Sequence, residues 1–328
     1  MRRRDFITLF GGAAVTWPLP LSAQQAGKIY RIGILSGGAP IAPLDERRKS
    51  LISGLAQRGF VEGRNVVLEQ RWADGRLDRL NGLAIELKAA KVDVIVTFGY
   101  PAALAAKVSV KEIPAVVSGA GDPVATGLVE GLARPGGNMT GVSEISTELS
   151  AKRLEILKDA VRNLRLVAML WNAADLGMTL RYRAAEDAAR VLGVKVQTLG
   201  VREPDDFEHA FATMTRERPD AILMVSDALT LLNRKRVVDF AAANRLPTIY
   251  ETGALVREGG LMSYGPKQSA IGERVAEFVA RILRGARPAD LPLELPTRFE
   301  FLINLKTAQS LGLALPPTLI ARADEVIE

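Results

Sequence analysis

Val92-Asp93-Val94-Ile95-Val96-Thr97, running on into Phe98-Gly99-Tyr100-Pro101-Ala102, is the stretch on which the fold turns. Its first part is short, almost wholly apolar and rich in β-branched residues, the pattern of a strand covered on both faces. Pro101 then opens a helix, a position where a missing N–H costs nothing. Strand, small loop, helix is one half of a parallel crossover unit. The same unit recurs on either side. Upstream, Arg31-Ile32-Gly33-Ile34-Leu35 reads as a strand, Ser36-Gly37-Gly38 as its loop, and residues 44–58 as a helix ending at Gly59. A strand at residues 65–69 and a helix at 76–90 lead into the quoted stretch, and Ala115-Val116-Val117-Ser118 follows it.

The series then restarts. A helix at residues 150–161 precedes strands at 166–171, 194–199, 221–225 and 247–250, with helices at 180–192 and 229–243 between them. Continuous apolar strands alternating with helices indicate α/β architecture with parallel sheets. Two series in one chain indicate two doubly wound lobes rather than one large sheet. The expected lobes are residues 28–142 plus 265–292, and 143–264 plus 293–328. The chain then crosses between them near Gly141, Tyr264 and Leu293. Three crossings form a hinge suited to closing around a ligand.

Composition narrows the function. The 328 residues are 48% hydrophobic, enough for two cores. The net charge of +6 is mild and interspersed, so no nucleic-acid partner is implied. Cysteine is absent, which excludes disulfides, thiol catalysis and zinc–thiolate sites. The single histidine, His209, sits on a polar helical face, so neither a histidine metal site nor a catalytic triad is expected. No metal and no cofactor is expected. Gly119-Ala120-Gly121 begins like a dinucleotide fingerprint, but Val124 stands where its third glycine belongs, and there is no phosphate-binding Gly-Lys-Ser/Thr stretch.

Met1-Arg2-Arg3-Arg4-Asp5-Phe6-Ile7 opens a basic, then apolar leader that ends at Leu21-Ser22-Ala23. That is the layout of an export signal, with cleavage expected after Ala23. The double arginine followed by an apolar pair is twin-arginine-like. Pro18 and Pro20 argue against an ordinary helix there. With no cysteine near the cut, no lipid anchor is expected. The expected location is the periplasm, and a monomer without a direct membrane anchor is expected.

In open parallel sheets, ligands sit beyond the carboxyl ends of the strands. The loops there supply the candidate ligand-contacting residues: Ser36, Gly37, Tyr100, Pro101, Ser118 and Asp122 in the first lobe, and Asn172, Asp227 and Glu251 in the second. Tyr264 at the second crossing can pack in the hinge or touch a ligand. A strand-end carboxylate suits an ammonium group, while glycines and helix N-termini suit a carboxylate. Together they suit a zwitterion such as an amino acid. Asp122 and Asp227 can equally well be helix caps. Trp171, ending an apolar strand, reads as core.

Ile113-Pro114-Ala115-Val116-Val117, Gly121-Asp122-Pro123-Val124, Gly127-Leu128-Val129 and Leu132-Ala133-Arg134-Pro135-Gly136-Gly137-Asn138-Met139-Thr140-Gly141 make a further pattern. With Ala151-Lys152-Arg153-Leu154, Gly260-Leu261-Met262-Ser263-Tyr264-Gly265 and Phe301-Leu302-Ile303-Asn304-Leu305-Lys306, it resembles the ABC-transporter substrate-binding proteins. The likeness covers nearly the whole chain and is to the group of tryptophan- and phenylalanine-type binders. It implies two lobes of the type-I periplasmic-binding fold. It also implies capture of a small solute, an amino acid or small carboxylate, for a membrane permease and its ATPase. Ser36, Tyr100, Asp122, Asn172 and Asp227 carry over as loop positions. Asn172-Ala173 departs from the Asn-Pro of relatives, and Tyr100 is larger than is usual there; either difference bears on the solute. An exported two-lobed enzyme would need an acid–base pair at the cleft. A sensory domain serving a separate signalling partner is the other alternative.

Overall fold

The computed structural model describes residues 28–39, 46–144 and 146–328, so the expected export signal lies outside the described residues. In chain order the first part holds β1 (Tyr30–Ser36), α1 (Glu46–Gln57), β2 (Val66–Trp72), α2 (Leu80–Ala89), β3 (Val94–Phe98), α3 (Tyr100–Ser109), β4 (Ala115–Ser118) and β5 (Met139–Val142). There follow α4 (Ser146–Ala160), β6 (Leu166–Asn172), α5 (Leu176–Leu192), β7 (Lys195–Val201), α6 (Asp206–Glu217), β8 (Ala221–Met224), α7 (Ala228–Leu232), α8 (Arg234–Ala243), β9 (Thr248–Tyr250) and α9 (Gly253–Arg257). The last part is β10 (Met262–Pro266), α10 (Gln268–Leu283), β11 (Leu293–Glu294), β12 (Phe299–Asn304), α11 (Leu305–Leu311), α12 (Pro317–Ile320) and β13 (Glu325–Ile327).

These strands form two sheets. The first has the order β2-β1-β3-β4-β5-β11, the second β7-β6-β8-β9-β10-β12-β13. The two orders begin alike, so the lobes repeat one doubly wound topology. Pairing is parallel throughout except between β10 and β12. In each sheet the order reverses at its second strand. This places a crevice at the carboxyl ends of β1 and β3 in one lobe and of β6 and β8 in the other.

Alternation along the central strands builds a core on each sheet face. Ile95 faces the core under α2 and α3, while Val94 and Val96 face the one under α1 and α10. In the second sheet, Val167 and Met169 point to one side and Ala168 and Leu170 to the other. A fully buried side chain of this size contributes about 1.5–3 kcal/mol.

The crossings fall slightly later than expected. Leu293 and Glu294 still pair with Gly141 and Val142 in the first sheet, so the third crossing follows Glu294. Gly265 and Pro266 still pair with β12 in the second sheet, so the second crossing follows Pro266. The apolar face of α10 then packs on α1, which returns this helix to the first lobe. The helix expected over residues 229–243 is two helices, α7 and α8, that meet at Asn233. There the Asn233 side chain donates back to the carbonyl of Leu229. No helix of the described residues is long and apolar enough to cross a membrane.

Candidate functional site

The two crevices face each other and enclose a cavity of about 240 Å³. That is below the ~300–1,000 Å³ of drug-sized ligand sites and suits a ligand of amino-acid size. The lobes touch around it. A methyl group on Gly37 would stand 3.3 Å from Ala228 Cβ, and one on Gly177 would stand 3.4 Å from Tyr100 Cβ. At the rim, Arg257 of α9 reaches Glu46 of α1 at 3.2 Å. The cleft is closed.

Local sequence sets each wall. β1 ends at Ser36, and Gly37 and Gly38 turn the chain out; the amide of Gly38 donates to Ser36 Oγ at 3.2 Å. Gly99, with φ of 84°, and Pro101 start α3 so that Tyr100 comes to the cleft. In the second lobe, Asp175 caps α5 by accepting from the amides of Gly177 and Met178 at 2.8 and 3.3 Å. Asp227 caps α7 in a reciprocal box with Thr230 and also accepts from Asn172 Nδ2 at 2.6 Å. Trp72, Leu77, Phe98, Met178 and Leu231 supply apolar wall.

Of the expected residues, Ser36, Gly37, Tyr100, Pro101, Asp227 and Glu251 line the cavity. The others stand behind it. Ser118 contributes its carbonyl, which accepts from Arg47. Asn172 holds Asp227 from behind. Asp122 caps a turn by accepting from the amides of Val124 and Ala125, while Gly119, Ala120 and Gly121 of the same loop line the cavity. Tyr264 packs its ring against Phe299 and Phe301 in the hinge, and its carbonyl accepts from Arg153 of the charged cluster.

The cluster itself was not foreseen. Arg47 of α1 donates to Glu144 Oε1 at 2.6 Å and to Gln268 Oε1 through Nε at 2.9 Å. Arg181 of α5 donates to Glu144 Oε2 at 2.5 Å and to Glu251 Oε2 at 2.8 Å. Arg153 of α4 donates to Glu251 Oε1 at 2.8 Å and to the Tyr264 carbonyl at 2.6 Å. A chain of alternating charge thus runs from α1 through the first crossing into the second lobe. Burial works against ionising Glu144, but the Arg47 and Arg181 guanidinium groups hold its carboxyl down at about 2. Burial, then the neighbouring Asp227, pushes the Asp175 carboxyl up to about 7, against the pull of Arg181. Burial also raises Asp227, against its hydrogen bonds from Thr230 and Asn172. Among the described residues no group of histidine and carboxylate side chains could hold a metal ion.

A signal for two of these arginines does exist in the sequence. Met178, Tyr182, Ala185 and Ala189 form the buried stripe of α5, and Arg181 falls inside it. Arg153 is set in the same way beside Leu154, Ile156 and Leu157. A charge at an apolar-stripe position has to find a buried partner. Glu144, in the first crossing, carries no such mark.

This cleft between two like-wound lobes is the architecture of a ligand-binding protein. Over residues 39–327 the chain matches the family described as ABC transporter substrate binding protein, and it belongs to that family. It is 25% identical over 271 residues to a tyrosine-binding protein of Clostridioides difficile (strain R20291), covering 82% of this chain and 77% of that protein. The ABC domain of Streptococcus pneumoniae solved in complex with L-Trp is 26% identical, with a TM-score of 0.84 over 91% of this chain and 99% of that one. A conserved domain protein of Vibrio cholerae is 25% identical, with a TM-score of 0.86 over 91% of this chain and 100% of that one.

Proposed function

We propose that this protein is the solute-binding component of an ABC import system and that its solute is an amino acid with a bulky apolar side chain. The observation that carries the reading is the closed cavity, whose apolar wall of Trp72, Phe98 and Met178 faces the carboxylates of Asp175 and Asp227. A wall of this kind suits an apolar or aromatic side chain, and the carboxylates suit an ammonium group. The tyrosine-binding relative and the L-Trp complex support the same ligand class. Delivery to a permease driven by an ATPase, residence in the periplasm and action as a monomer belong to this proposal. The arginine-led apolar leader supports export. The protein binds and releases its solute without transforming it.

Calorimetry and thermal-shift measurements on the purified protein, run against the proteinogenic amino acids, test the reading. Binding of one or more of them, with a raised melting temperature and the compound recovered unchanged, is the expected result. Turnover of a bound compound would overturn it.

A further inference from the structure

Of the three arginines in the cleft cluster, Arg181 is placed differently. Its side chain is only 3% exposed, and its two terminal nitrogens are committed to Glu144 and Glu251. Its Nε is a buried donor with no acceptor among the described residues. A buried N–H left unpaired is costly, and guanidinium donors seldom stay so. The space beside it is kept open by Gly121, which also lines the cavity. A methyl group on Gly121 would stand 3.8 Å from both Nε and Nη2 of Arg181. Gly121 has φ of 64°, so the position disfavours any side chain that would close this space.

Charge points the same way. Arg47, Arg153 and Arg181 face Glu144 and Glu251, which leaves the cluster with one positive charge in excess. Net charge in a closed cleft is unfavourable unless it is paired. Asp175 lies near enough to act on Arg181, but its Oδ1 is taken by the amides of Gly177 and Met178. With its carboxyl pushed up to about 7, it offsets only part of the excess at neutral pH.

We propose that Arg181 determines specificity by receiving the carboxylate of the solute on its Nε–H, in the space left by Gly121. This rests on the amino-acid reading of the cleft and adds to it where the anionic end goes. Glu144 and Glu251 act as positioning residues that hold the guanidinium fork. The arrangement makes a free carboxylate a requirement. A carboxamide of the same shape can accept from Nε only through a neutral oxygen and leaves the excess charge in place, and the decarboxylated amine leaves both the donor and the charge unpaired.

The test is calorimetry with wild-type protein and a panel of the proteinogenic amino acids, with the carboxamide and decarboxylated amine of each aromatic and branched aliphatic member. The expected result is that the best-binding acid loses about tenfold to a hundredfold in affinity on conversion to its carboxamide. The second arm is Arg181→Lys, which keeps a cation between Glu144 and Glu251 but removes the fork. In that variant the carboxamide penalty should shrink by about threefold or more, because the Nε–H is lost while the positive charge stays. Circular dichroism and melting temperature establish that the variant is folded. If Arg181→Lys does not fold, the wild-type series decides alone. Equal binding of acid and carboxamide by wild type overturns the Arg181 assignment while leaving the amino-acid reading standing. A carboxamide penalty that is undiminished in folded Arg181→Lys also overturns it. Absence of binding across the whole panel would remove the amino-acid reading, and this inference with it.

Discussion

Asp175 is held between opposing influences at the mouth of α5. Its Oδ1 caps the helix, while burial and Asp227 resist its charge and raise its carboxyl from 3.8 to about 7. A raised carboxylate means that the folded chain holds a proton the unfolded chain has lost. The associated stability is full below about pH 4 and is lost as pH rises through about 7. Glu144 has the opposite sign, but its stabilisation falls away only below its ordinary value of 4.5. Between pH 5 and 8 the ligand-free protein is therefore expected to lose stability. Asp175→Asn keeps an oxygen for the Gly177 and Met178 amides and cannot ionise. Relative to wild type it should gain about 1–3 kcal/mol at pH 8 over pH 5, read by denaturant unfolding at the two pH values. Parallel pH dependence in the two proteins would show that Asp175 does not titrate in this window. The residue also shows why site chemistry is only partly visible in a sequence. Asp227 and Glu251 could be picked out because each stands at the end of an apolar strand. Asp175 stands three residues beyond Asn172, in a loop whose helix begins earlier than the pattern suggested.

At the scale of elements, the pairing of α1 with α10 matters most to the cleft, because α1 carries Arg47 and α10 begins at Gln268. The two helices approach through glycines. A methyl group on Gly272 would stand 2.1 Å from the Arg47 carbonyl, and one on Gly54 would stand 2.8 Å from Ala276 Cβ. Gly272→Ala should therefore force α1 away, costing about 1–3 kcal/mol of stability. It should also weaken solute binding, because Arg47 moves with its helix. The contrast is Gly82→Ala on α2, where nothing lies within 4 Å of the added methyl. This change should be neutral or stabilise by about 0.5–1 kcal/mol, with affinity unchanged. Equal melting temperatures for the two variants would refute the close-approach argument. Strands and helices were legible here because β3, β6 and β8 are almost wholly apolar and α10 is amphipathic. That α10 belongs to the first lobe was also legible from the expected crossings. Its partner α1 was not, because the two contacting helices are more than 200 residues apart and no local pattern encodes their pairing.

At the scale of the molecule, the closed cleft is a junction between lobes joined by three crossings. Its contacts are small groups that meet across the gap, such as Gly37 against Ala228 and Gly75 against Leu232. A bulky side chain should wedge it open. Wild type is expected to show a ligand-induced decrease in radius of gyration by X-ray scattering, which Ala228→Trp should abolish while lowering affinity at least about tenfold. A wild-type radius that does not change on ligand addition would argue against hinge closure. The sequence alone determined that there are two α/β lobes with parallel sheets, and it pointed to the loops after the strands as the place to look for a site. Periodicity and strand composition are local properties, and the topological rule for crevices needs no coordinates. Only the tertiary structure decided which residues of these loops reach the cavity: Ser36, Tyr100 and Asp227 flank the reversals, Gly121 and Glu251 come from one strand further along, and Asp122 beside Gly121 caps its own turn instead. It alone assembled Arg47, Glu144, Arg153, Arg181 and Glu251. These five come from two lobes and a crossing, and a charge network between distant segments exists only once the lobes have folded and closed.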